Sequence, residues 1–164
     1  MDGVLLPFGG SEHKGSSNRL FPDQTLAALT QILVEIPSLV LVLSSTWRVR
    51  EEFCKEILDS FHAYGEQHGG PLATIEDFYD ITDIHNHSER QWEIHAWLSS
   101  QTNVQAWVAL DDEELIEGDC NESYRDQFVG HVIKTNSAVG LTDQDARQAI
   151  TLMKEQTQTK SEER

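Results

Sequence analysis

Positive charge is scarce in this chain: 12 Lys and Arg stand against 28 Asp and Glu in 164 residues, a formal charge of −16. Counterion release needs clustered basic residues, so neither general nucleic-acid binding nor a membrane-surface role is expected. Cysteine is sparser still, with two residues. Cys54 and Cys120 have no CxxC spacing, which argues against a zinc site or a disulfide framework and favours a reducing, cytoplasmic setting. Long apolar runs are missing too. Crossing a bilayer takes roughly 20 such residues, and the longest run here, residues 39–43, has the length of a buried strand. No charged stretch followed by an apolar one opens the chain, so no secretory signal is expected. The length suits one domain, since single domains run about 100–200 residues.

What is present is an alternation of helix and strand patterns. After a Gly- and Ser-rich loop over residues 7–18, Leu26, Leu29, Ile32, Leu33 and Ile36 recur at helical spacing. Pro22 suits the first turn of that helix, and Pro37 ends it. Residues 38–44 read as a strand buried on both faces. Residues 48–64 read as an amphipathic helix with Gly65 as its C-cap. A loop is expected over 68–88, with one short turn of helix at most. Residues 89–100 form another helix burying Ile94, Trp97 and Leu98, and 104–110 a second strand ending in Asp111 and Asp112. Acidic loop with broken helix follows over 113–128, then a third strand at 131–134. Thr142 caps a last helix that turns Ala146, Ile150 and Met153 to the core. The expectation is an α/β fold, a doubly wound parallel sheet with helices on both faces. Its domain covers residues 1–154, and 155–164 form a disordered polar tail.

In such sheets ligands bind at the carboxyl ends of the strands, and polar residues gather there: Asp2, Ser44-Ser45-Thr46 and Asp111-Asp112. Two adjacent carboxylates at the edge of an apolar core call for a compensating cation, and magnesium takes such oxygen ligands. They would equally serve as caps of a following helix. The hydroxyls after residue 43 suit a phosphate oxygen or an ordinary N-cap. Arg90, opening its helix, suits a phosphate or solvent. A calcium loop over residues 111–122 fails, because its sixth position is Ile116 rather than Gly. His85-Asn86-His87 reads as loop surface, with no third ligand nearby.

In order along the chain, four short motifs resemble the haloacid dehalogenase (HAD) superfamily. Met1-Asp2-Gly3-Val4-Leu5 looks like the end of its Asp-x-Asp-Gly-Val motif, and Leu43-Ser44-Ser45-Thr46-Trp47-Arg48 like the phosphate-binding second motif. Arg90-Gln91-Trp92-Glu93-Ile94 is similar to the helix carrying the third-motif cation, and Val108-Ala109-Leu110-Asp111-Asp112 to the metal-binding fourth. The details look most like the compact HAD domains of "Swiss Army knife" RNA-repair proteins. The likeness extends from Asp2 to about Met153.

The resemblance implies a magnesium-dependent phosphatase or phosphotransferase acting on a phosphomonoester of a small molecule, a protein or a nucleic-acid end. In that family the first Asp of the motif attacks phosphorus and the second is the acid and base. Carried over, Asp2 is the acid/base and a metal ligand. Ser44, Ser45 and Arg90 bind phosphate, Arg90 counting also as catalytic, and Asp111 and Asp112 hold magnesium. One departure matters. Met1 stands at the x of Asp-x-Asp, so the nucleophile has no counterpart, and its loss costs on the order of 10⁶ in rate. The family's strand before Asp2 lies mid-sheet between the strands ending at Ser44 and Asp111. It is cut short here, and its aliphatic contacts, each worth about 1.5–3 kcal/mol, go with it. A truncated chain, from a misplaced start or an alternative transcript, is therefore expected. As given, the polypeptide should bind phosphate and magnesium weakly and turn over little. The alternative is a pseudoenzyme, a non-catalytic phosphate-binding or interaction module. A short segment between Gly65 and Glu89 implies no large cap over the site.

Overall fold

Residues 1–8, 20–84, 89–118 and 122–162 are described by a computed structural model, with side chains to residue 159. The first helix, α1 (Asp23–Glu35), follows Pro22 as the stripe requires and buries Leu26, Leu29, Ile32 and Leu33. A two-residue strand β1 (Val42–Leu43) leads into a 3₁₀ turn (Thr46–Val49) and helix α2 (Glu51–His68). After a second 3₁₀ turn (Pro71–Thr74) come β2 (Asp80–Ile81), α3 (Arg90–Ser100), β3 (Ala109–Asp111), α4 (Arg125–Phe128), β4 (Val132–Lys134) and α5 (Asp143–Glu162).

The mixed α/β architecture and the parallel pairing match the sequence reading, but the sheet is in two parts. β1 pairs in parallel with β2, and β3 with β4, with no ladder between the pairs among the described residues. The expected strands over 38–44 and 104–110 shrink accordingly to the residues that meet a partner. Of the aliphatic run, only Leu43 is buried; Val40 stays 49% exposed. The strand β2 lies where only loop was expected.

Gly65 is not the cap of α2. The helix runs three residues further, and Gly69 turns the chain at φ 78°. Gly65 serves close packing instead: a Cβ there would lie 2.3 Å from the Ala73 backbone nitrogen. Trp97 and Leu98, expected inside, are half-buried. Thr142 caps α5 as expected, its Oγ1 accepting from the Asp145 N–H while Asp145 accepts from the Thr142 N–H. That helix continues as far as Glu162, into the segment expected to be a polar tail, and the Gln156 side chain bonds both the N–H and the C=O of Trp107. His85, Asn86, His87 and Cys120 lie outside the described residues.

The larger core packs α1 against α5 around Leu26, Ile32, Leu141 and Ala149, with Phe61 and Ile57 from α2. A smaller cluster of Ile94, Leu115 and Phe128 sits beneath α3. Among the described residues no helix is long and apolar enough to cross a membrane.

Candidate functional site

The opening residues form a tight turn, with the Gly3 N–H bonded to the Leu6 carbonyl at 2.7 Å and the Leu5 N–H to that of Met1 at 2.9 Å. Three outside contacts pin it. Thr135 Oγ1 donates to the Gly3 carbonyl, Thr25 Oγ1 to that of Leu5, and the Leu141 N–H to that of Val4. Gly3 adopts φ 67°, and a Cβ there would meet the Asp112 carboxyl carbon at 2.2 Å. Only glycine therefore lets Asp112 settle over this turn.

Around the turn, the carboxyl ends of β1 and β3 converge. Ser45 Oγ, buried at the start of the 3₁₀ turn, accepts a 2.8 Å hydrogen bond from the Met1 ammonium. Asp2 Oδ2 accepts from Trp47 Nε1 at 2.8 Å, and the indole is held in turn against Phe53. From the other side Asp111 Oδ1 accepts the Glu113 N–H at 3.0 Å, while its Oδ2 lies 3.2 Å from Arg90 Nε. That last pair is within ion-pair distance, yet Arg90 Nε is buried without a hydrogen bond. The contact is therefore an attraction out of line, and the N–H remains available to a better-aligned oxygen.

The structure thus brings Asp2, Ser45, Arg90, Asp111 and Asp112 to one mouth. Ser44 is half-buried, its carbonyl accepting from Arg48 Nη1, and lines the same cleft. Sequence reasoning missed what holds Arg90. Arg48 and Glu93 form a buried pair at 2.6 Å, and Glu93 Oε2 also lies 3.3 Å from Arg90 Nη1. Arg48 further donates to the Thr82 carbonyl at 2.9 Å. The available signal was Glu93 itself, a carboxylate beside Ile94 on the inward face of α3.

Electrostatics at the mouth are lopsided. Burial pushes the Asp111 carboxyl above the usual carboxylate range, against the pull of the Glu113 N–H and Arg90. Burial likewise lowers the Met1 ammonium, although Asp111 and Asp2 favour its charge. Three carboxylates, Asp2, Asp111 and Asp112, thus face one guanidinium and one weakened ammonium. No group of three His, Cys, Asp or Glu close enough to cage a metal occurs among the described residues. The donor set fits a hard cation that takes one or two carboxylates and completes its shell with water and phosphate, as magnesium does.

A parallel α/β fold with carboxylates, hydroxyls and one guanidinium at the carboxyl ends of its strands defines the class, a domain of the HAD type. A family model described as the HAD domain in Swiss Army Knife RNA repair proteins matches residues 1–146. The chain belongs to that family, and with it to a phosphatase-type lineage. Comparison with curated proteins and with solved structures found no match.

Proposed function

We propose that this chain carries a magnesium- and phosphate-binding site of the phosphomonoesterase kind which, without a nucleophilic carboxylate beside Asp2, binds far better than it turns over. The observation that supports it is Arg90, held by Glu93 and drawn toward Asp111 with its Nε–H unbonded. A phosphate oxygen would satisfy that N–H by a charge-assisted bond.

In this reading Asp111 and Asp2 hold magnesium, with Asp112 beside them, and the metal neutralises phosphate oxygens. Ser44 and Ser45 donate to the phosphate. Arg90 adds a fixed fork of donors rather than a point charge. Asp2, fixed by Trp47 Nε1, is positioned to move a proton at the substrate oxygen. The substrate is a phosphomonoester on a small molecule, a protein or a nucleic-acid end.

Calorimetric titration with magnesium and inorganic phosphate, together with phosphate release from an aryl phosphate, tests this. Coupled binding of both ligands without turnover is expected, with turnover appearing once an apolar strand ending in Asp is joined ahead of Met1. Absence of binding in both forms would sink the reading. Turnover by the 164-residue chain, lost in Asp2→Asn, would refute the inactive half of it.

A further inference from the structure

We propose that in the metal-free protein Asp111 keeps Arg90 closed to phosphate, and that magnesium, by drawing Asp111 to itself, frees the guanidinium and so binds ahead of the anion. This rests on the magnesium- and phosphate-binding reading above and adds to it the order of binding and the contact that sets it.

Arg90 opens α3 and Asp111 ends β3, and the two meet across the mouth with Nε and Oδ2 3.2 Å apart. Each side chain is anchored on its other side. Glu93, itself paired with buried Arg48, lies 3.3 Å from Arg90 Nη1, and the Glu113 N–H donates to Asp111 Oδ1 at 3.0 Å. The less restrained atoms of both groups, Nε and Oδ2, are therefore the ones that face each other. Neither contact involves the opening residues of the chain. Arg90 Nε is buried and makes no hydrogen bond, although a carboxylate oxygen stands beside it. Such a contact keeps its Coulomb attraction and forfeits the hydrogen bond. With Asp111 in that place, the N–H is closed to an incoming anion.

A buried donor without an acceptor is costly, so charge rather than fit holds this arrangement. Two exchanges relieve it. A hard cation takes a carboxylate oxygen as ligand, and a phosphate oxygen takes the Nε–H in line by a charge-assisted bond. Each ligand alone must displace one partner of the Arg90–Asp111 contact, whereas the two together release both, which makes their binding mutually favourable. The order follows from the surplus of charge. Asp2, Asp111 and Asp112 outnumber the guanidinium, so the mouth attracts a cation first and admits an anion once that charge is reduced. Asp112 supplies the comparison. It carries the same charge at the same mouth, but its carboxyl lies over the Gly3 turn. Removing it changes the field without opening Arg90.

The test measures two affinities by calorimetry, that of inorganic phosphate in the presence of a metal chelator and that of magnesium without phosphate. In chelator, Asp111→Asn should bind phosphate roughly threefold or more tighter than the parent, because affinity scales with the fraction of time Arg90 is open. Asp112→Asn should gain clearly less. Arg90→Gln should bind magnesium roughly threefold or more tighter, since Asp111 is then free of its rival. In the unsubstituted protein the Arg90 Nε–H resonance, assigned through its own backbone, should exchange slowly with water in chelator. Exchange should quicken with magnesium and slow again once phosphate is added. Equal gains in the two Asn variants would reduce the effect to overall charge and overturn the proposal, with the site reading left standing. Magnesium affinity unchanged or weakened in Arg90→Gln would overturn it too, as would Nε–H exchange unaltered by bound magnesium. Absence of magnesium and phosphate binding, in the parent and in the form extended ahead of Met1 alike, would remove the site reading and this proposal with it. Should a variant misfold, Nε–H exchange in the unsubstituted chain decides.

Discussion

Arg48 and Glu93 meet at 2.6 Å with only 3% of either side chain exposed, and the pair stands directly behind Arg90. Breaking a buried pair by removing one partner costs about 3–5 kcal/mol, because the other charge is left uncompensated. Against a total stability of about 5–15 kcal/mol this is severe. Glu93→Ala should therefore lower the urea midpoint sharply. The milder Glu93→Gln should fold and bind inorganic phosphate more weakly, because Arg90 loses its support. Unchanged phosphate affinity in Glu93→Gln, read by calorimetry, would separate Glu93 from the site.

Magnesium needs Asp111 ionised, and burial raises the pKa of that carboxyl. Affinity should be full near neutrality and decline on acidification earlier than it would for an ordinary aspartate. Asp111→Asn should abolish most of the binding and this pH dependence with it. The stability consequence has the opposite sense. A carboxyl whose folded pKa is raised contributes stability below its unfolded pKa and loses it as pH rises through the folded one. Without metal, the melting temperature of Asp111→Asn relative to the parent should therefore be more favourable at pH 7 than at pH 4. Equal differences at the two pH values would contradict the assignment.

Glu114 behaves in the reverse way. It accepts the backbone N–H groups of Glu117 and Ile116 and pairs with Lys134 at 2.7 Å, which brings its carboxyl down to about 2. Its stabilising effect is present above the ordinary glutamate range and fades as pH falls toward 2. Glu114→Gln should melt below the parent at pH 7, with the gap narrowing steadily in acid. The group is exposed, so the effect is small.

Gly65 offers a test of packing alone. With Ala73 backbone 2.3 Å from where its Cβ would stand, Gly65→Ala must push the Pro71–Thr74 turn away from α2. Overpacking of this kind costs about 1–3 kcal/mol, outweighing the gain in helix propensity. Thermal denaturation should show the loss. A neutral or raised melting temperature would mean that the turn yields freely.

The helices were legible because their signals are local. The stripe of Leu26, Leu29, Ile32 and Leu33 between Pro22 and Pro37, and the Thr142 cap, specify α1 and the start of α5 by spacing and dihedral preference alone. The candidate site was legible to the same extent. Ser45 and Asp111 each follow a short apolar run, and the alternation of elements sends such ends to one edge. The misreadings came from contacts distant in the chain. Gly65 reads as a cap until the Pro71–Thr74 turn is seen to press on it, since the same residue suits a left-handed turn and a close crossing. Residues 38–44 read as a doubly buried strand because their hydrophobicity is intrinsic, whereas their burial depends on a neighbour at each edge. The pairing of Arg48 with Glu93, 45 positions apart, was likewise decided by the packing of α3 against the turn after β1. Sequence determined which residues seek an apolar interior and which carry charge. Only the tertiary structure decided which of those demands are met, because burial and ion pairing depend on what lies across the gap.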